Sequence, residues 1–155
     1  MGKEAKRKAI IFDIDGTLAH MTGRISRHGK RAAPFVDDDA HDDDVDVEVL
    51  EMLNLLQSKY AIIICSGRKD TSRKTLEGWL KTNNIYYDEI FMRDSTRKNE
   101  NGGLVSDTII KYEIYTQLIE PKYDVFAVFD DRDQVVDMWR NKLGLKVFQV
   151  AEGAF

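Results

Sequence analysis

Four stretches of the chain read as strands buried on both faces: residues 9–14, 60–65, 125–129 and 145–150. They are rich in β-branched and aromatic side chains, as interior strands of a parallel sheet tend to be. A fifth candidate, 86–92, is interrupted by Asp88 and Glu89. Helical spacing falls between them. Val47, Leu50 and Leu53, with Val49, Met52 and Leu56, place apolar positions three and four apart. Residues 72–81 carry Leu76, Trp79 and Leu80 on one side. A third helix is predicted over about 105–119, ended by Pro121, and a fourth over 134–142, stopped near Gly144. Strand alternating with helix predicts an α/β fold, a doubly wound and mostly parallel sheet. Residues 19–46 form the one long segment without clear periodicity, which suggests a flap or minimal cap. Residues 94–103 read as a second surface loop.

Composition changes this picture little. At 155 residues, 43% hydrophobic and 32% charged, the chain suits a single domain over 1–155 with a real core. No apolar run is long enough to span a bilayer, so no membrane partner is expected. The basic N-terminus, residues 1–8, leads into a strand pattern rather than a signal-peptide core. The lone Cys65 excludes an internal disulfide and fits a reducing cytoplasm. A net charge of −4 argues against generic polyanion binding. Charge is uneven, however: Arg24, Arg27, Lys30 and Arg31 precede an acidic run over 37–44, which reads as a solvated loop.

Four motifs fall at strand ends or helix starts, and each suits phosphoryl transfer. In Asp13-Ile14-Asp15-Gly16-Thr17, one carboxylate can attack phosphorus and a second can shuttle a proton. Strand alternation would point residues 13 and 15 to the same side. An Asx turn at a strand end is the plain alternative. Ser66-Gly67-Arg68, expected directly after a strand, offers a hydroxyl, amides and a guanidinium to phosphoryl oxygens, or is simple turn chemistry. Asp107 and Lys111 are four apart on a helix: either an ordinary surface ion pair, or a lysine sent to the nucleophile with an acid that orients a cation or substrate. Asp130 and Asp131 can supply oxygen ligands to Mg²⁺, or cap the following helix.

The order of these motifs resembles the haloacid dehalogenase superfamily of phosphatases, whose fold is Rossmann-like with its site at the carboxyl edge of the sheet. A narrower resemblance rests on residues 130–140, on the ending 148–155 and on residues 13–24. These are similar to the phosphatase domain of the bifunctional phage polynucleotide kinase/3′-phosphatases. The resemblance implies that Asp13 is the nucleophile and Asp15 the general acid/base. It places Arg24, Arg68 and Asp107 on essential positions, Ser66 on the phosphate-binding serine, Lys111 on the lysine, and Asp130 and Asp131 on the acid pair. It implies Mg²⁺ held by Asp13, the Asp15 carbonyl and one or both of Asp130 and Asp131. The implied substrate is a 3′-phosphate at a nucleic-acid end, DNA or RNA, in the host cytoplasm if the chain is phage-encoded. No Gly-x-x-x-x-Gly-Lys-Ser/Thr loop is present, so a kinase or ligase activity would come from a separate chain. Arg93, Arg97 and Lys98 either meet nucleic-acid phosphates or solubilise the surface. The rival readings are a phosphatase of a small phosphomonoester and a phosphate-binding module without turnover.

Overall fold

The computed structural model describes residues 4–29, 33 and 40–155. Five strands build the main sheet: β1 (Arg7–Phe12), β4 (Ala61–Lys69), β5 (Glu89–Arg93), β6 (Tyr123–Asp130) and β7 (Val147–Gln149). The short strands β2 (Ala19–His20) and β3 (Asp44–Val45) form a separate antiparallel pair. The main sheet runs β5-β4-β1-β6-β7, and every pairing is parallel. The chain thus winds outward from a central β1 in both directions. That order puts the carboxyl ends of β1, β4 and β6 side by side, where open sheets of this kind hold ligands.

The helices are α1 (Thr22–His28), α2 (Val47–Leu56), α3 (Arg73–Thr82), α4 (Asp107–Ile114) and α5 (Asp133–Asp137). The last two continue as wider π-helical turns over Tyr115–Ile119 and Met138–Lys142. Side chains on the central strands alternate between two cores. Ile10, Phe12, Ile62 and Ile64 meet Val49 and Leu53 of α2 and Leu76, Trp79 and Leu80 of α3. Ala9, Ile11, Ile63 and Cys65 meet Ile110 and Ile114 of α4 and Val135, Val136 and Trp139 beyond β6. Both faces are covered, which is why these strands are apolar at consecutive positions. The start of α2 is fixed by the Asp46 carboxylate, which accepts from the Val49 amide, and that of α4 by the Ser106 hydroxyl, which accepts from the Ile109 amide.

Several boundaries differ from the sequence reading, for identifiable reasons. β1 stops at Phe12, because the chain turns immediately after it, so strand alternation does not reach Asp15. β4 runs on to Lys69, carrying Ser66-Gly67-Arg68 inside a strand rather than after one. Its register against β5 shifts between Ser66 and Lys69, a bulge that re-aims the side chains there. The segment without periodicity contains α1, β2 and β3, elements too short to show a repeat. Residues 30–32 and 34–39 of that segment, with the basic Lys30 and Arg31 and the acids Asp37, Asp38 and Asp39, lie outside the described residues. Among the described residues, no helix is long and apolar enough to cross a membrane.

Candidate active site

The site starts where β1 ends. The Asp13 amide still donates to the Phe129 carbonyl of β6 (3.0 Å), which holds this residue at the sheet edge. The chain then reverses: the Thr17 amide donates to the Ile14 carbonyl, and the Gly16 amide to that of Ala19. Gly16 has φ +84°, and a Cβ there would lie 2.1 Å from the Asp131 Oδ2. Only glycine meets both demands.

Three carboxylates converge beside that turn. Asp13, Asp130 and Asp131 are buried, and each offers an oxygen within 4.8 Å of the others. Lys111 reaches them from α4, donating to Asp13 Oδ1 (2.7 Å) and Asp130 Oδ2 (3.1 Å). It therefore does not pair with Asp107 along the helix. The Thr17 hydroxyl lies 3.1 Å from Asp13 Oδ2 and 3.2 Å from Asp131 Oδ1, and its single proton serves one at a time. The Trp139 indole donates to Asp130 Oδ2 (3.1 Å), and the Asp131 amide to Asp130 Oδ1 (2.8 Å). These contacts hold Asp130 inward. They leave Arg132, rather than either acid, at the N-terminal boundary of α5, so neither acid caps that helix.

One ammonium among three acids leaves an excess of negative charge. Burial, and then the Asp130 carboxylate, push Asp13 well above the usual carboxylate range and Asp131 up to about 6. Burial works against the Lys111 charge, but Asp13 and Asp130 outweigh it and raise that amine well above its ordinary value. A dry pocket of oxygen donors that repel one another suits a hard divalent cation. The residues present fit such an ion.

Asp15 lies in a different environment. Arg68 donates to both of its oxygens (3.0 and 2.6 Å), and Arg24 to one (2.5 Å). Burial alone would raise the Asp15 carboxyl, but the two guanidiniums, Arg68 foremost, bring it down to about 2. Arg24 itself is wholly buried, which a lone guanidinium would not tolerate. Asp43 supplies the compensation, accepting from Arg24 Nε (3.2 Å) and Nη2 (2.8 Å), and the Ala33 carbonyl accepts a further bond (3.1 Å). The acidic run is thus not solvated throughout, because Asp43 is needed inside to balance Arg24. Its backbone is anchored as well, its carbonyl accepting from the Trp79 indole (2.8 Å).

The Ser66 hydroxyl accepts from the Arg68 amide (3.1 Å), which shapes the bulge that aims Arg68 at Asp15. Gly67 packs against the Asp107 carboxylate; a Cβ there would sit 2.7 Å from Asp107 Oδ1. Asp107 is clamped by Arg93 and by Arg132 (3.0 Å to the latter). Arg93 is buried, and it also donates to the carbonyls of Gly67 (2.9 Å) and Val105 (2.5 Å). It is therefore a brace between β4 and the start of α4, not a solubilising surface group. Arg97 pairs with Glu113 (2.8 Å), and Lys98 lies in an isolated bridge with Leu104.

The sequence model of the polynucleotide kinase PNKP phosphatase domain matches residues 7–155. The chain belongs to that family. The PNKP phosphatase domain is of the haloacid dehalogenase type, so this is a phosphomonoester hydrolase fold. The chain is 29% identical over 151 residues to a protein of Autographa californica nuclear polyhedrosis virus named for polynucleotide kinase and RNA ligase. A chain in the structure of a Pnkp1/Rnl/Hen1 complex superposes with a TM-score of 0.85 at 37% identity, over 99% of this PNKP-type domain. The domain spans 49% of that chain, and 92% of it aligns with 19% of the viral protein. A haloacid dehalogenase-like hydrolase of Streptococcus pneumoniae shares the fold at 13% identity, with a TM-score of 0.57 over 93% of this chain and 84% of that one.

Of the residues singled out from sequence, Asp13, Asp15, Arg24, Ser66, Arg68, Asp107, Lys111, Asp130 and Asp131 all fall along the carboxyl edge of β1, β4 and β6. Sequence reasoning missed Asp43, Trp139 and the bracing role of Arg93. Asp43 was hidden among like residues; the available signal was Arg24, a cation that needs a partner if it is buried.

Proposed function

We propose that this domain is a Mg²⁺-dependent polynucleotide 3′-phosphatase working through an aspartyl-phosphate. The observation that carries the reading is the pairing of Lys111 with Asp13 inside the Asp13–Asp130–Asp131 cluster. It is supported by membership of the PNKP phosphatase family and by relatives named for polynucleotide kinase and RNA ligase.

Asp13, the Asp15 carbonyl and one or both of Asp130 and Asp131 would hold Mg²⁺, which when bound supplies positive charge that offsets repulsion between Asp13 and a dianionic phosphate. The chain's own groups do the rest. Asp13 attacks phosphorus in line, the bond from phosphorus to the sugar oxygen breaks, and Asp15, ionised at rest, delivers to that oxygen a proton that it takes up from solvent once substrate draws a guanidinium away. Lys111, Ser66 and Arg68 stabilise charge on the equatorial oxygens, Ser66 as a neutral hydrogen-bond donor. Water, giving its proton to Asp15, then attacks phosphorus, releasing phosphate and regenerating the Asp13 carboxylate. Both Asp15 oxygens are taken by guanidiniums in the resting arrangement. One of them is released before proton transfer, and a substrate phosphate is a natural competitor for Arg68. The described part of the segment 19–46, with α1, β2 and β3, is read as a small flap or minimal cap beside this edge. The domain works on nucleic-acid ends, in the host cytoplasm if the chain is phage-encoded, alongside kinase or ligase activities, whether from a separate chain or from further domains.

The test compares a 3′-phosphorylated oligonucleotide, its 5′-phosphorylated twin and an aryl phosphate, each with and without Mg²⁺. Release confined to the 3′ end with Mg²⁺ is expected. Equal rates at both ends would refute 3′ specificity, and aryl phosphate alone would favour a small phosphomonoester. Asp13→Asn should abolish release while leaving the fold intact; full residual activity rules out Asp13 as nucleophile.

A further inference from the structure

The turn that carries Asp130 and Asp131 is held from behind by one short segment, residues 149–153. The Val150 amide donates to the Asp130 carbonyl (3.1 Å), and the Asp133 amide to the Gly153 carbonyl (2.9 Å). The Gln149 side-chain amide donates to the Asp131 carbonyl (2.9 Å) and to Asp133 Oδ1 (2.7 Å). Gly153 is pressed against the same turn: a Cβ on it would lie 2.0 Å from the Asp131 carbonyl oxygen and 2.6 Å from the Arg132 Cα. In front, the Asp131 carboxylate meets Gly16 and the Thr17 hydroxyl. The acid pair is thus gripped between the turn after β1 and this C-terminal strap, with backbone groups of residues 130, 131 and 133 engaged on the strap side.

We infer that Gln149 and Gly153 are positioning residues for the divalent-cation site, setting the depth and orientation of Asp131 through its backbone. The inference rests on the reading that Asp130 and Asp131 help hold the cation. Neither residue touches the carboxylates. Gln149 is exposed, and its amide is the side-chain donor that fixes the Asp131 carbonyl. Gly153 tolerates no side chain, because the loop backbone occupies that space. Partners of this kind, one bond removed from a ligand, set metal affinity, and losing one typically costs about tenfold to a hundredfold.

The experiment uses Gln149→Leu and Gly153→Ala, with free Mn²⁺ measured by electron paramagnetic resonance in the absence of substrate. Both variants should bind Mn²⁺ about tenfold or more weakly than wild type. Melting in EDTA should show Gln149→Leu folded, with one cooperative transition. In turnover assays, excess Mg²⁺ should restore the maximal rate of Gln149→Leu while the Mg²⁺ concentration it needs rises. Should Gly153→Ala fail to fold, Gln149→Leu, at an exposed position, decides the matter alone. Wild-type Mn²⁺ affinity in Gln149→Leu overturns the inference. Wild-type protein that binds no Mn²⁺ overturns the cation reading itself, and this inference with it.

Discussion

Arg24 shows how much one buried charge demands of its surroundings. It has no exposed surface, and it draws in Asp15, Asp43 and the Ala33 carbonyl. Removing one carboxylate from such a set leaves the guanidinium short of a partner in a dry site. Asp43→Asn should therefore cost about 1–3 kcal/mol of stability, read from urea unfolding. Turnover should fall by about tenfold to a hundredfold, because Arg24 and through it Asp15 lose their fixed orientation. Unchanged turnover in a folded Asp43→Asn protein would separate Asp43 from the site. This residue also marks the limit of what could be read from the chain. Asp13, Asp15 and Lys111 were legible because each lies in a short local pattern. Asp43 was not, because its role depends on a partner nineteen positions away, as the Arg24–Asp43 bond shows, and its neighbours are acids of the same kind.

Elements that are buried on both faces were legible; elements held by tertiary contacts were not. β1, β4 and β6 declare themselves by consecutive apolar residues, whereas α1, β2 and β3 are short and depend on the Arg24 and Asp43 contacts around them. The π-helical ends of α4 and α5 share this property, since a widened turn leaves no separate mark in hydrophobic spacing. Asp88 explains why the fifth strand was hard to read. It interrupts the apolar run, yet its carboxylate accepts from the Ile62 amide (2.8 Å) and the Tyr86 hydroxyl (2.8 Å), tying β4 to the approach to β5. Partial burial would raise this carboxyl, but the Ile62 amide, Tyr86 and Arg7 together lower it. A lowered carboxyl stabilises the fold above its unfolded value, roughly 3.9, and loses that contribution as pH falls through the folded value. Asp88→Ala should cost about 1–2 kcal/mol at pH 7. The gap to wild type should narrow below about pH 4. A pH-independent gap in melting experiments would assign the effect to packing alone.

The whole molecule is three layers with the site at one edge, and its reactivity follows from that plan. Cys65 lies in β4, against the core formed with α4 and α5, and burial pushes its thiol up to about 12. A thiol so placed reacts only when the sheet opens. Labelling with a disulfide reagent at pH 8 should be far slower than for the unfolded chain and should track urea unfolding. Native labelling at the unfolded rate would mean that β4 opens locally.

The two tryptophans of the chain stand on opposite sides of the sheet, yet each indole is tethered to a different wall of the site. Trp79 donates to the Asp43 carbonyl beside the arginine cluster, and Trp139 to the Asp130 carboxylate in the acid cluster. Intrinsic fluorescence therefore has two separable channels. A variant keeping only Trp139 reports the arrival of a cation at Asp130, and one keeping only Trp79 reports movement around Arg24 and Asp15. Light from the protein itself can time the two halves of the site independently, with no label attached.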